Sequence, residues 1–246
     1  MNSVVSVQSR VSDALLSVLD SRAAPIDQAR LLLKQGEATF VLSGIVCSFS
    51  DSQDCVELGA ALELIHVGLH RLHVRIDDDR HLPVPLRPAG RVLVGDYLTS
   101  GAFRLLSRCQ DAQALKAIGI AMVQTCEHEV VALNGDQTAE AVARSYAPLG
   151  EAAGIAGAQL AGCAPDVLAE ARGFGGALFA AHALLRHGLR DADAARSATL
   201  LAASRQASQT ALASAQALHA LTGLGAPLAL ATERHARVET ESSVHH

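Results

Sequence analysis

Apolar residues recur at spacings of three and four along nearly the whole chain, and alternation over a strand length is hard to find. That period fits helices with one buried stripe, so the sequence predicts an all-α protein. Asp54 and Asp111 stand where N-caps are expected, Asn134-Gly135-Asp136 reads as a stop and restart, and Pro165 suits a first helical position. "GLGAP" (Gly223 to Pro227) closes a long Ala-rich helix. On the order of eight to ten helices follow from these signals. Alanine dominates from Thr138 to Ala220, and its small side chain predicts a tightly packed bundle there. "DDDRHLPVPLRPAG" (Asp77 to Gly90) reads as one long loop, too short to separate domains. Residues 1–240 are therefore expected to form a single domain, with 241–246 set apart as a tail of native or tag origin.

Net charge is −5 and the seven aromatic residues are scattered, which leaves no basic surface interleaved with stacking rings for a nucleic acid. The five cysteines form no C-x-x-C pair. They signal neither a disulfide framework nor a structural zinc site, and buried thiols in a reducing cytoplasm are expected. Arg10 and Asp13 interrupt the apolar pattern of the first residues, against a signal peptide, and no run is long enough for a membrane span. A soluble, cytoplasmic protein is the expectation. No G-x-S-x-G nucleophile elbow occurs.

The stretch "ELIHVGLHRLHVRIDDDRHLPVP" (Glu63 to Pro85) is the chemically dense one. On an α-helix Glu63, His66, His70, His73 and Asp77 project from one face. Burying five titratable groups together without partners is costly, so they are expected to line a cavity or groove.

"AALELIH" (Ala60 to His66) and, after a gap, "VLVGDYLTSGAFRLL" (Val92 to Leu106) resemble segments of the trans-prenyltransferases, the polyprenyl diphosphate synthases. Weaker similarity places Lys34 at the lysine of the family's first basic motif. It also sets "GAQLAG" (Gly157 to Gly162) and "FGGALFAAHALLRHGLRD" (Phe174 to Asp191) before and around the second aspartate-rich motif. The resemblance spans roughly residues 30 to 235. It implies a large helical bundle of the isoprenoid synthase type around a central cavity, where two aspartate-rich clusters, the first of them D-D-x-x-D, hold magnesium and a diphosphate.

Both clusters are degenerate in this chain. The first falls on His73-Val74-Arg75-Ile76-Asp77, which keeps only the last aspartate; a one-residue shift restores no more. Adjacent Asp78 and Asp79 cannot replace the missing ligands, since neighbouring helical residues are rotated by about 100°. The second falls on Arg186-His187-Gly188-Leu189-Arg190, with arginines at its first and last aspartate positions. Of the basic motif Lys34 remains, but Gln35 and Glu37 stand where arginines are usual. Magnesium binding is thus expected to be lost, with no other cofactor implied.

Three readings follow. The leading one is a pseudoenzyme of the polyprenyl synthetase type, a non-catalytic or regulatory subunit in isoprenoid biosynthesis. It would act as a homodimer or as a heteromer with an active prenyltransferase. The second is a metal-independent binder of an isoprenoid diphosphate or another small anion through Arg186, His187 and Arg190. The third is a helical-bundle metalloprotein using the Glu63, His66, His70 and His73 stripe, with "CEHE" (Cys126 to Glu129) contributing from another helix.

Overall fold

The computed structural model describes residues 2–19, 26–27, 30, 33, 40–73, 88–133 and 138–243. Lys34, Asp77 and the Asn134-Gly135-Asp136 break lie outside the described residues, as does most of the expected 77–90 loop. The described elements are all helical. The chain divides into two compact units, residues 1–43 with 51–110, and residues 44–50 with 111–246.

The first unit is built around α3 (Gln53–His66), which passes into a π-helical segment (Val67–His73). Every residue of α3 from Leu58 to His66 is buried. A helix enclosed on all sides is central, and the apolar sequence of α3 suits that position. α1 (Asn2–Ser17) packs on α3, and α4 (Pro88–Leu106) packs on both α3 and the π-helical segment. Asp54 is not the cap of α3: Ser52 accepts the Cys55 N–H, and Asp54 sits one turn-position inside, where its charge complements the helix dipole. Pro88, expected in the loop, instead opens α4, a first position where its missing N–H costs no hydrogen bond. The short α2 (Val41–Cys47) starts in this unit and ends in the other.

The second unit is an ordered run of helices: α5 (Ala112–Ala132), α6 (Ala139–Leu160), α7 (Val167–Gly188), α8 (Ala194–Thr222) and α9 (Ala226–Ser243). Each packs against the next in sequence. Asp111 caps α5 by accepting from Gln113 and Ala114 N–H, as the sequence predicts. Thr138 caps α6 and Asp193 caps α8. Gly223, with φ of 73°, ends α8 in the left-handed conformation expected of "GLGAP". Pro165 is not helical: its carbonyl and that of Ala164 accept from Leu168 and Val167 in a turn that leads into α7. α9 extends to Ser243, so residues 241–243 of the expected tail are helical.

The closest approach in this unit is that of α6 to α7. A β-carbon at Gly154 would lie 2.7 Å from the Ala171 carbonyl carbon, and one at Gly150 would lie 2.7 Å from the Phe179 Cβ. One at Gly175 would lie 3.0 Å from the Gly150 carbonyl carbon. Glycine at these positions brings backbone against backbone, so the tight packing expected of the alanine-rich region rests on its glycines. Phe49 and Phe174 add an edge-to-face pair at 6.3 Å.

The cysteines are all free, but only Cys55 is buried; Cys126 is exposed, and Cys47, Cys109 and Cys163 are partly so. The expectation of uniformly buried thiols is corrected accordingly. Among the described residues no helix is long and apolar enough to cross a membrane.

Gly154→Ala drives a methyl group into the α7 backbone, which cannot withdraw as a side chain would. Overpacking of this kind costs about 1–3 kcal/mol. Urea unfolding followed by circular dichroism is expected to show a lowered midpoint with an unchanged slope, whereas Gly119→Ala, where nothing lies within 4 Å, is expected to hold or gain stability.

Candidate functional site

The titratable stripe does not stay on one face. From Val67 the helix widens to the i→i+5 pattern, and a spacing of three, nearly a full turn of an α-helix, falls well short of one. Glu63, His66 and His70 are buried, while His73 meets a different neighbour, Asp96. The single-face arrangement expected from an uninterrupted α-helix is thus corrected.

Each member has a specific partner. The Glu63 carboxylate accepts from the Ser43 backbone N–H at 3.0 Å and from its hydroxyl at 3.1 Å. Ser43 lies in the first turn of α2, so the buried carboxyl group of Glu63 meets the N-terminal end of that helix through one oxygen. Gly59 makes this possible, because a β-carbon there would lie 2.9 Å from the Ser43 Cα. His66 Nδ1 and His70 Nδ1 are 3.1 Å apart, which requires one ring to donate and the other to accept. His73 Nε2 lies 3.2 Å from the Val92 carbonyl oxygen and 3.3 Å from the Asp96 carboxylate.

"GDYL" supplies the other half of this packing. A β-carbon at Gly95 would lie 3.1 Å from the His73 Cε1, and one at Gly68 would lie 3.1 Å from the Gly95 carbonyl oxygen. Asp96 faces His73, the Tyr97 hydroxyl donates to the Val18 carbonyl at 3.3 Å, and Leu98 is fully buried. Ser43 and Asp96 are the two residues of this site that helical spacing alone does not select.

In the second unit the register Arg186-His187-Gly188-Leu189-Arg190 covers the last turn of α7 and the residues just past it. Arg186 and His187 stand where cations complement the negative end of the helix dipole. The His187 ring is 3.3 Å from the Tyr146 hydroxyl, and the two rings meet edge-on at 5.7 Å. Arg190 is exposed beyond the cap. The nearby acid, Asp191, is bound to the Arg196 guanidinium, whose Nη2 donates to Oδ1 at 2.8 Å. Those hydrogen bonds from Arg196, joined by the Asp193 N–H, hold its carboxyl below the ordinary carboxylate range.

Glu129, the last residue of "CEHE", accepts from the Ser145 hydroxyl across α5 and α6. Burial pushes its carboxyl up from the ordinary value, and the Ser145 bond and nearby His128 only partly oppose this. Cys126 is exposed as a residue, and partial desolvation of its sulfur together with the nearby Glu129 charge raises its thiol. Among the described residues no three His, Cys, Asp or Glu side chains are grouped so as to hold a metal ion. Among the described residues neither the Glu63 to His73 part of the stripe nor "CEHE" forms such a group, and Asp77 lies outside them.

The helical order and these close crossings define an all-α isoprenoid synthase fold, that of the trans-prenyltransferases. Among solved structures, a decaprenyl diphosphate synthase from Rhodobacter capsulatus is similar with a TM-score of 0.73 at 19% identity, over 96% of this chain and 97% of that one. A polyprenyl synthase from Caulobacter crescentus, complexed with calcium and isoprenyl diphosphate, matches with a TM-score of 0.63 at 26% identity, over 98% and 88%. The geranyl diphosphate synthase small subunit from Antirrhinum majus matches with a TM-score of 0.62 at 16% identity, over 87% and 91%. No protein-family model and no curated protein matches the sequence.

Glu63→Ala withdraws the acceptor from two Ser43 donors in a buried place, a loss of about 1–3 kcal/mol. Glu63→Gln keeps an acceptor oxygen there and is expected to cost less, an ordering that denaturant unfolding of the two variants reads directly.

Glu129 gives a pH signature. Its folded-state pKa is raised, so its contribution to stability is fully present below the ordinary value of 4.5 and is lost as pH rises through the raised value. Glu129→Gln is expected to flatten the decline of melting temperature over that interval and to leave the variant relatively more stable at neutral pH; melting curves of both proteins across pH 4 to 8 check it.

Proposed function

We propose that this chain is a catalytically inactive polyprenyl-synthase-like subunit that works by associating with an active prenyltransferase. The observation that carries the reading is the cationic register at the end of α7. Magnesium takes oxygen ligands, and this position offers Arg186, His187 and Arg190, with the adjacent Asp191 already engaged by Arg196. At an effective dielectric near 20, unit charges about 4 Å apart interact by about 4 kcal/mol. Replacing several carboxylates by guanidinium groups therefore opposes divalent cations strongly. On this reading magnesium is not held, and the acceptors and cations of the region serve packing and helix ends.

Association has a physical basis in α5. Ile120, Val123, Val130 and Val131 are each about half exposed or more, and Leu133 at its cap is 73% exposed. An apolar helix face of this kind favours burial against another chain. The small subunit of a geranyl diphosphate synthase, named above, is a solved example of this fold in a subunit role.

Purified alone with magnesium and prenyl diphosphates, the protein is expected to show no turnover. Co-expressed with an intact trans-prenyltransferase from the same source, it is expected to co-purify and to change that enzyme's rate or product length. Val123→Asp with Val130→Asp should abolish co-purification while leaving the helical spectrum intact. Metal-dependent turnover by the isolated chain would refute the proposal.

A further inference from the structure

A second feature lies away from both degenerate motifs. On the surface of the second unit, α5 and α7 form the walls of a groove floored by α6, with a volume of about 540 Å³. That is within the range of small-molecule pockets, about 300–1,000 Å³. Its depth comes from small residues, among them Ala117, Ala121 and Ala152, where larger side chains would fill the space.

The register of the helices orders its chemistry. The Glu129–Ser145 contact and the Gly154–Ala171 contact make α6 antiparallel to both of its neighbours. Lys116 on α5 and Arg172 on α7 thus stand on opposite walls, to either side of Ile155 along the floor, near Ala158 and Ala153 respectively. Lys116 is one of only two lysines in the chain. Glu151, one turn away, approaches the Arg172 Nε only to 4.0 Å, an electrostatic contact beyond hydrogen-bonding distance that leaves guanidinium donors to offer. The groove therefore holds two cations to one carboxylate.

One turn along α6 in the other direction is Gln159. Its Oε1 is buried and accepts no hydrogen bond among the described residues. A buried acceptor without a donor is costly, and Gln159 is among the residues that line the groove. Ile120 and Leu168 add apolar surface.

We propose that this groove binds a small amphipathic monoanion, its acid group clamped between Lys116 and Arg172 and a hydroxyl or N–H donated to Gln159 Oε1. The apolar body lies over Ile155 between the two walls. The three requirements are independent: charge from the walls, a donor from the floor, and an aliphatic or aromatic body from the lining. A prenyl diphosphate does not meet them, since it brings several negative charges and no donor of this kind. The site shares Ile120 with the association surface proposed above, but Lys116, Arg172 and Gln159 lie outside that surface, so either can fail without the other.

The test is calorimetric titration of the full-length protein with 3-hydroxyoctanoate, octanoate, octylammonium and inorganic phosphate. 3-Hydroxyoctanoate is expected to bind most tightly, octanoate several-fold more weakly, and the other two not measurably. Lys116→Gln and Arg172→Gln are each expected to weaken the hydroxy acid by about five- to tenfold. Gln159→Leu should abolish the preference between the two acids. Gln216→Ala, exposed on α8 and outside both the groove and the association face, is the control and should change nothing. Circular dichroism confirms that each variant is folded. Absence of binding at millimolar concentration, equal binding of octylammonium or phosphate, or unaltered affinity in both charge variants overturns the proposal.

Discussion

The contact on which the larger unit depends is backbone against backbone, where α6 and α7 meet through Gly150, Gly154 and Gly175. Without β-carbons between them the two helices share one plane of contact. Everything chemical in the unit is placed relative to it. Tyr146 reaches both Phe179 and His187 across this seam, and Glu151 reaches Arg172 across its outer side. The groove floored by α6 is shallow or deep according to how closely α7 lies. A looser crossing would separate its walls.

In the smaller unit the equivalent role belongs to a buried carboxyl group. Glu63 is fully enclosed, and its carboxylate is matched to the N–H and hydroxyl of Ser43 at the beginning of α2. A polar group in such a place is costly unless it is hydrogen-bonded. The Gly59 crossing brings those donors within reach. The π-helical turn that follows is a local departure of the kind that concentrates polar groups. It sets His66 against His70 and frees His73 to meet Asp96. Within the described residues Glu63 meets Ser43, His66 meets His70 and His73 meets Asp96.

Much of the fold was legible before any coordinates. The three-and-four spacing announced helices throughout, Asp111 and Gly223 marked ends that the structure keeps, and "ELIH" with "GDYL" pointed to the isoprenoid synthase fold. The misreadings share a cause. Asp54 and Pro165 are residue types suited to helix starts, but Ser52 and the turn through Ala164 were equally suited and local composition does not rank them. The stripe from Glu63 to His73 was read at about 3.6 residues per turn, and nothing in the side chains themselves announces a change of pitch. Exposure of Cys126 likewise depends on which face of α5 is turned outward, a matter of its neighbours.

What the sequence determined by itself is the helical class, the family resemblance and the identity of the residues at each motif position. Those are properties of spacing and of side-chain chemistry, and both are written in the order of residues. Only the tertiary structure decided which groups meet. Glu63 with Ser43, His73 with Asp96, Glu129 with Ser145, and Lys116 opposite Arg172 are joined by helix crossings, not by sequence proximity. A crossing depends on the fit of two surfaces at a few ångströms, and a single chain's local pattern does not contain that distance.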